Sequence, residues 1–127
     1  MNTPEHFEIA AGYACYRPVG EVSLQKAIDW VSTVITFAID QQITKLLIDS
    51  TKLTGIEPPL AWERFRMGER FAHAARGSAI KVVLVARPEM IDPERFGMTV
   101  ARNRGLLANV FTSEAEALAW LLDPNAA

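Results

Sequence analysis

Two short apolar runs, Leu46-Leu47-Ile48 and Val82-Val83-Leu84-Val85, constrain this chain more than anything else in it. Each is bounded by polar residues and neither alternates, the pattern of a strand covered on both faces. Such strands belong to parallel sheets, whose neighbours are joined by crossovers long enough to hold a helix. The intervening segments have helical spacing. Leu24, Ile28, Val31, Ile35 and Ala38 recur every three or four residues behind Ser23, which is placed to cap a helix reaching Gln41 or Gln42; Trp30, Val34 and Phe37 widen that stripe. Pro58-Pro59 reads as the first turn of a second helix ending near Arg76 and Gly77. Asp92-Pro93 opens a third, which Gly105 ends after Arg102 and Arg104. Ser113-Glu114-Ala115-Glu116 is a capping box for a fourth, with Leu118, Leu121 and Leu122 expected to face inward. Leu106 to Phe111 is the last strand, and Phe7-Glu8-Ile9 pairs across Ala11-Gly12 with the strand beginning at Tyr13. The order β-β-α-β-α-β-α-β-α predicts an α/β fold, formed by one domain over residues 1–127, with a mostly parallel sheet and an antiparallel first strand.

Composition removes several classes of function. Half of the residues are apolar and 22% charged, so a packed core is expected without metal or disulfide staples. The net charge of −2 is not that of a general nucleic-acid binder. The longest apolar candidate for a membrane span, Ile28 to Ile39, is broken by Asp29, Ser32, Thr33 and Thr36 and reads as a buried helix. A lone cysteine, Cys15, makes no internal disulfide or cysteine cluster and suits a reducing cytoplasm.

No familiar catalytic pattern is present. Neither G-x-G-x-x-G nor G-x-x-x-x-G-K-[ST] occurs, and His6 and His73 are far apart with no convergent ligands, so no cofactor and no metal is expected. His73 follows Glu69 by four residues, the spacing of a surface ion pair. Cys15 reads as a small buried hydrophobe, although Arg17 shares its face and could activate it. The stretch that gathers most chemistry is Asp49-Ser50-Thr51-Lys52-Leu53-Thr54-Gly55, which leaves the carboxyl end of a buried strand, where open α/β sheets place their ligands. Asp49, Ser50, Thr51, Lys52 and Thr54, with Arg87 from the end of the next strand, are the candidate ligand or partner loop; hydrogen bonding of the loop's own amides would explain the same residues. A second candidate is the basic face Arg66, Arg70 and His73, which is either a solvated helix surface or a site for an anionic partner or headgroup.

Three phrases resemble the STAS-like superfamily, in particular stand-alone bacterial SpoIIAA-like proteins related to CRAL-TRIO-type lipid-binding domains. They are Arg17-Pro18-Val19-Gly20-Glu21-Val22-Ser23, Lys45-Leu46-Leu47-Ile48-Asp49, and Val110-Phe111-Thr112-Ser113-Glu114-Ala115-Glu116-Ala117-Leu118-Ala119-Trp120-Leu121. The resemblance implies strands in sequential order and successive helices on one face. It also implies a phosphorylatable Asp-Ser-Ser-Gly-type phrase where the second helix opens. This chain has Gly55-Ile56-Glu57-Pro58-Pro59-Leu60 there, with no hydroxyl.

Both apolar runs therefore need cover on a second sheet face, from the chain itself, a second subunit or a lipid-like ligand. The expectation is a non-enzymatic regulatory or protein-interaction module whose partner is another copy or another protein. A binder of a small apolar or lipid-like molecule is the alternative. An enzyme using Asp49, Ser50 or Lys52 would require those groups to converge with Arg87 in a cleft.

Overall fold

The computed structural model describes residues 3–126. Strands β1 (Phe7–Ala10) and β2 (Tyr13–Tyr16) form the expected hairpin, with Gly12 at φ +83° in its turn. A two-residue strand β3 (Gly20–Glu21) precedes α1 (Leu24–Asp40), and Ser23 Oγ accepts the Lys26 amide as its cap. Next come β4 (Lys45–Asp49), the two-residue β5 (Leu53–Thr54) and α2 (Ala61–Ala74). The chain continues with β6 (Lys81–Val85), a single 3-10 turn at Pro88–Met90, α3 (Phe96–Asn103), β7 (Leu107–Phe111) and α4 (Glu114–Leu122).

The main sheet runs β1-β2-β4-β6-β7, with β1 antiparallel and the other pairings parallel. β3 and β5 pair separately, in parallel, beyond its carboxyl edge. The molecule is thus α/β, with a mixed, mostly parallel sheet and four α-helices among the described residues. Strand alternation divides its core in two. Ala14, Leu46, Ile48, Val82, Leu84, Ala108 and Val110 face α1, α2 and α3, which contribute Ile28, Val31, Ile35, Phe71, Met98 and Ala101. On the opposite face Cys15, Leu47, Val83 and Val85 lie under Ala117 and Leu121 of α4. The second face therefore has a cover of its own: the last helix, folded back across it.

Several boundaries differ from those the sequence suggests. α2 starts at Ala61 rather than at the prolines, because Pro59 forces Pro58 into extended backbone; Leu60 becomes the cap, its amide donating to Glu63 Oε1 at 2.8 Å. α3 starts at Phe96, since Arg95 adopts a left-handed conformation at φ +51°, and Asp92 reaches past it to accept the Phe96 amide at 2.9 Å. In α4, Leu121 is fully buried but Leu122 is exposed. Ala117, four residues before Leu121, takes the inward position instead.

Candidate functional site

Asp49 and Ser50 leave β4 in succession, so their side chains point to opposite faces of the sheet. The loop that gathers the most chemistry in sequence is thereby divided. Asp49 faces α4. Its Oδ1 accepts the Thr51 amide at 2.9 Å and the Thr51 hydroxyl at 2.6 Å, closing an Asx turn. Asp49 also hydrogen-bonds to the carboxyl of Glu114, the first residue of α4. Glu114 is in turn held by a bidentate fork from Arg17, Nε to Oε2 and Nη2 to Oε1, both at 2.8 Å. Strand parity explains the meeting: Cys15 on β2, with Arg17 just past its end, and Leu47 and Asp49 on its neighbour share a face.

The electrostatics follow from that geometry. The Arg17 guanidinium, and then the hydrogen bond with Asp49, hold Glu114 down at about 2. Burial, and then the Glu114 carboxyl beside it, push the Asp49 carboxyl above the usual range. Arg17 is correspondingly raised by its fork onto Glu114. Beneath them burial pushes the Cys15 thiol up to about 11, outweighing the Arg17 charge, so at neutral pH it is a buried apolar group and not a nucleophile. The far end of α4 is fixed as well. Lys81 Nζ donates to the carbonyls of Trp120 at 2.8 Å and Asp123 at 3.0 Å and lies 4.5 Å from the Trp120 ring centroid. Glu114 does not stand out in sequence as part of a site, because it reads as a capping-box residue, and Arg17 stands out only as a neighbour of Cys15.

Ser50 points the other way. Its Oγ donates to the Val85 carbonyl at 2.9 Å, and it lines an apolar cavity of about 110 Å³ between α1, α2 and α3. Ile28, Leu53, Met67, Phe71 and Met98 line the interior, and Arg64, Asp92 and Arg95 are its charged lining residues. Arg64 is committed to backbone carbonyls, at Pro59 (3.0 Å) and Met90 (3.0 Å). The remaining candidates form no hydrogen bond with either group. Lys52 is exposed, and Thr54 Oγ1 donates only weakly to the Gly20 carbonyl at 3.4 Å. Arg87 pairs loosely with Glu89 at 3.8 Å.

Arg66, Arg70 and His73 do share a groove, on the outward side of α2, with Arg76 and with Arg104 from the end of α3. Glu69 pairs with Arg104 at 3.3 Å and not with His73. Where α2 and α3 begin, Leu60, Trp62, Phe65 and Phe96 are 61%, 60%, 37% and 39% exposed. Gly97 lies against the backbone of Arg64, so the two helix starts meet along one rim. Among the described residues no helix is long and apolar enough to cross a membrane, and no group of three His, Cys, Asp or Glu could hold a metal ion. No protein-family model matches the sequence and no curated protein matches it.

Proposed function

We propose that this chain is a non-enzymatic STAS-like interaction module that presents the α2–α3 rim to a partner protein. The sequential sheet and the three helices on one face support the STAS-like reading. The observation that carries the interaction reading is the exposed cluster Leu60, Trp62, Phe65 and Phe96. A solvent-facing Trp among large apolar side chains is the composition of an interface centre. Glu57, Glu63 and Glu94 lie within three residues of members of that cluster, and so do Arg64, Arg66 and Arg95, so the matching surface is apolar with a rim of mixed charge. The division of the Asp49 loop between two faces supports a binding role over a catalytic one.

The test is affinity purification from native cells with the wild-type chain and with a Trp62→Ser/Phe65→Ser variant, read by quantitative mass spectrometry and by sedimentation at high concentration. Losing two anchors of this kind costs roughly 2 kcal/mol or more, a drop of about thirtyfold in affinity. At least one protein, or self-association, should be lost with the variant while its melting temperature holds. If nothing captured depends on those two side chains and the chain stays monomeric, the reading fails.

A second reading, binding of a small apolar molecule, is favoured by the cavity alone. At about 110 Å³ it is close to the roughly 150 Å³ that admits benzene and well below the ~300–1,000 Å³ of larger ligand sites. It therefore takes the end of a short apolar chain rather than a whole lipid. Hexanol at about ten times its dissociation constant should stabilise the wild type by roughly 1.4 kcal/mol. Ala86→Leu, which fills the cavity from β6's end, should abolish the effect. A wild-type melting temperature indifferent to hexanol removes this reading.

A further inference from the structure

The groove on the outward side of α2 has a volume of about 480 Å³ and is walled by Arg66, Glu69, Arg70, Ala72, His73, Arg76 and Arg104. Positions 66, 70 and 73 follow spacings of four and three, so they fall along one side of α2, and Arg76 follows in the turn after it. Two of the four arginines are already fixed. Arg70 Nη2 donates to Asp29 Oδ1 of α1 at 2.9 Å, and that aspartate also accepts from Gln25 at 3.1 Å. Arg104 pairs with Glu69 at 3.3 Å, its guanidinium 5.0 Å from the Phe65 ring centroid. Arg66 and Arg76 form no ion pair among the described residues and are exposed. Four guanidiniums against the carboxylates of Asp29 and Glu69 leave two positive charges uncompensated, without counting His73.

We propose that this groove binds a small phosphate monoester in its dianionic form. The charge matches: a phosphate monoester carries about −1.5 to −2 near pH 7, and guanidinium forks accept its oxygens in pairs. The geometry matches as well. The two anchored arginines form preset walls, so little side-chain freedom is lost on binding, and the two free ones can close on the ligand. No Phe, Tyr or Trp lines the groove to stack a base, and the chain's net charge is −2. The recognised element is thus the phosphate itself, not a nucleic acid backbone, which needs a longer basic track. The same monoester can come from a soluble metabolite or from a phosphorylated lipid headgroup, and the experiment separates these sources.

The probe is phenyl phosphate, titrated calorimetrically at low salt, with phenyl sulfonate as the monoanionic control of similar shape. A dissociation constant of about 1 mM or tighter is expected for the phosphate, with the sulfonate weaker by roughly tenfold. Arg66→Gln/Arg76→Gln should weaken phosphate binding by roughly tenfold or more while leaving the melting temperature unchanged, since both side chains are exposed and unpaired. A parallel arm measures co-sedimentation with phosphatidylcholine vesicles with and without phosphatidylinositol 4-phosphate. Binding to the phosphorylated vesicles that phenyl phosphate competes away assigns the site to a headgroup; phenyl phosphate binding without vesicle binding assigns it to a soluble ester. No phenyl phosphate binding, equal affinity for the sulfonate, or binding that the double variant retains overturns the proposal. The outcome does not depend on the Leu60–Trp62 rim, so the interaction reading stands or falls separately.

Discussion

Gly68→Ala should destabilise the protein by roughly 2 kcal/mol and lower its melting temperature by about 6–10 °C, although alanine is the better helix former. At an unencumbered helix position the same change would stabilise by up to about 1 kcal/mol, through higher helix propensity and a less free unfolded chain. Gly68 is not such a position. A Cβ there would lie 2.5 Å from the Gly97 carbonyl oxygen, 3.0 Å from Val100 Cβ and 3.1 Å from the Ala101 amide nitrogen. Two of these three atoms are backbone and cannot rotate away, so α2 and α3 must separate by several tenths of an ångström. That movement loosens the packing of Met98 and Ala101 against the sheet. Gly97→Ala is the control, because its nearest neighbour, the Arg64 carbonyl oxygen, is 3.3 Å away and the next two are side-chain atoms. It should cost under about 1 kcal/mol. Thermal melts of the two variants decide the matter. Equal losses, or a gain at Gly68, would mean that the helices are not held at this spacing in solution.

The sequence carries the class and order of the fold because its strongest local signals agree with the tertiary result. The runs at Leu46 and Val82 are apolar on both faces and are indeed covered on both. Ser23 and Ser113 cap the helices they appear to cap, and Gly77 and Gly105 follow helix ends with φ of +79° and +96°. What was not legible depends on partners distant in sequence. β3 and β5 are two-residue strands that exist only by pairing with each other across thirty-odd residues. Glu69 has both His73 and Arg104 within reach, and local spacing names only the first. The Asp49 site fails in sequence for the same reason: its partners Arg17 and Glu114 lie on other elements, Glu114 being 97 residues beyond Arg17. Counting two residues along each strand shows that Arg17 and Asp49 share a face. Nothing local shows that the last helix begins directly above them.

α4 covers the second sheet face and is pinned at both ends, by Arg17–Glu114–Asp49 at its start and by Lys81 on its terminal carbonyls. Arg17→Met should therefore lower stability at pH 7 by about 0.5–1 kcal/mol. The fork is more than a third exposed on both sides, 39% and 36%, so solvent screening keeps the loss well below what the displacement of Glu114 alone would suggest. Glu114 titrates at about 2 when folded against 4.5 when free, so its contribution is complete above about 4.5 and disappears as pH falls toward 2. The gap between wild type and Arg17→Met should close over that interval. Asp49 has the opposite sign. Its folded carboxyl is raised above 3.8, so the stability it lends is present below that value and is lost as pH rises through the folded one. Asp49→Asn removes that titration and keeps a side-chain carbonyl able to accept from Thr51. The variant should match the wild type at pH 3 and equal or exceed it at pH 7. Urea unfolding from pH 2.5 to 7 measures all three proteins. An Arg17→Met deficit that ignores pH would reduce the fork to packing by its aliphatic stem. An Asp49→Asn protein that loses stability mainly at pH 7 would show that Asp49 is ionised there, serving the Thr51 turn and sharing no proton with Glu114.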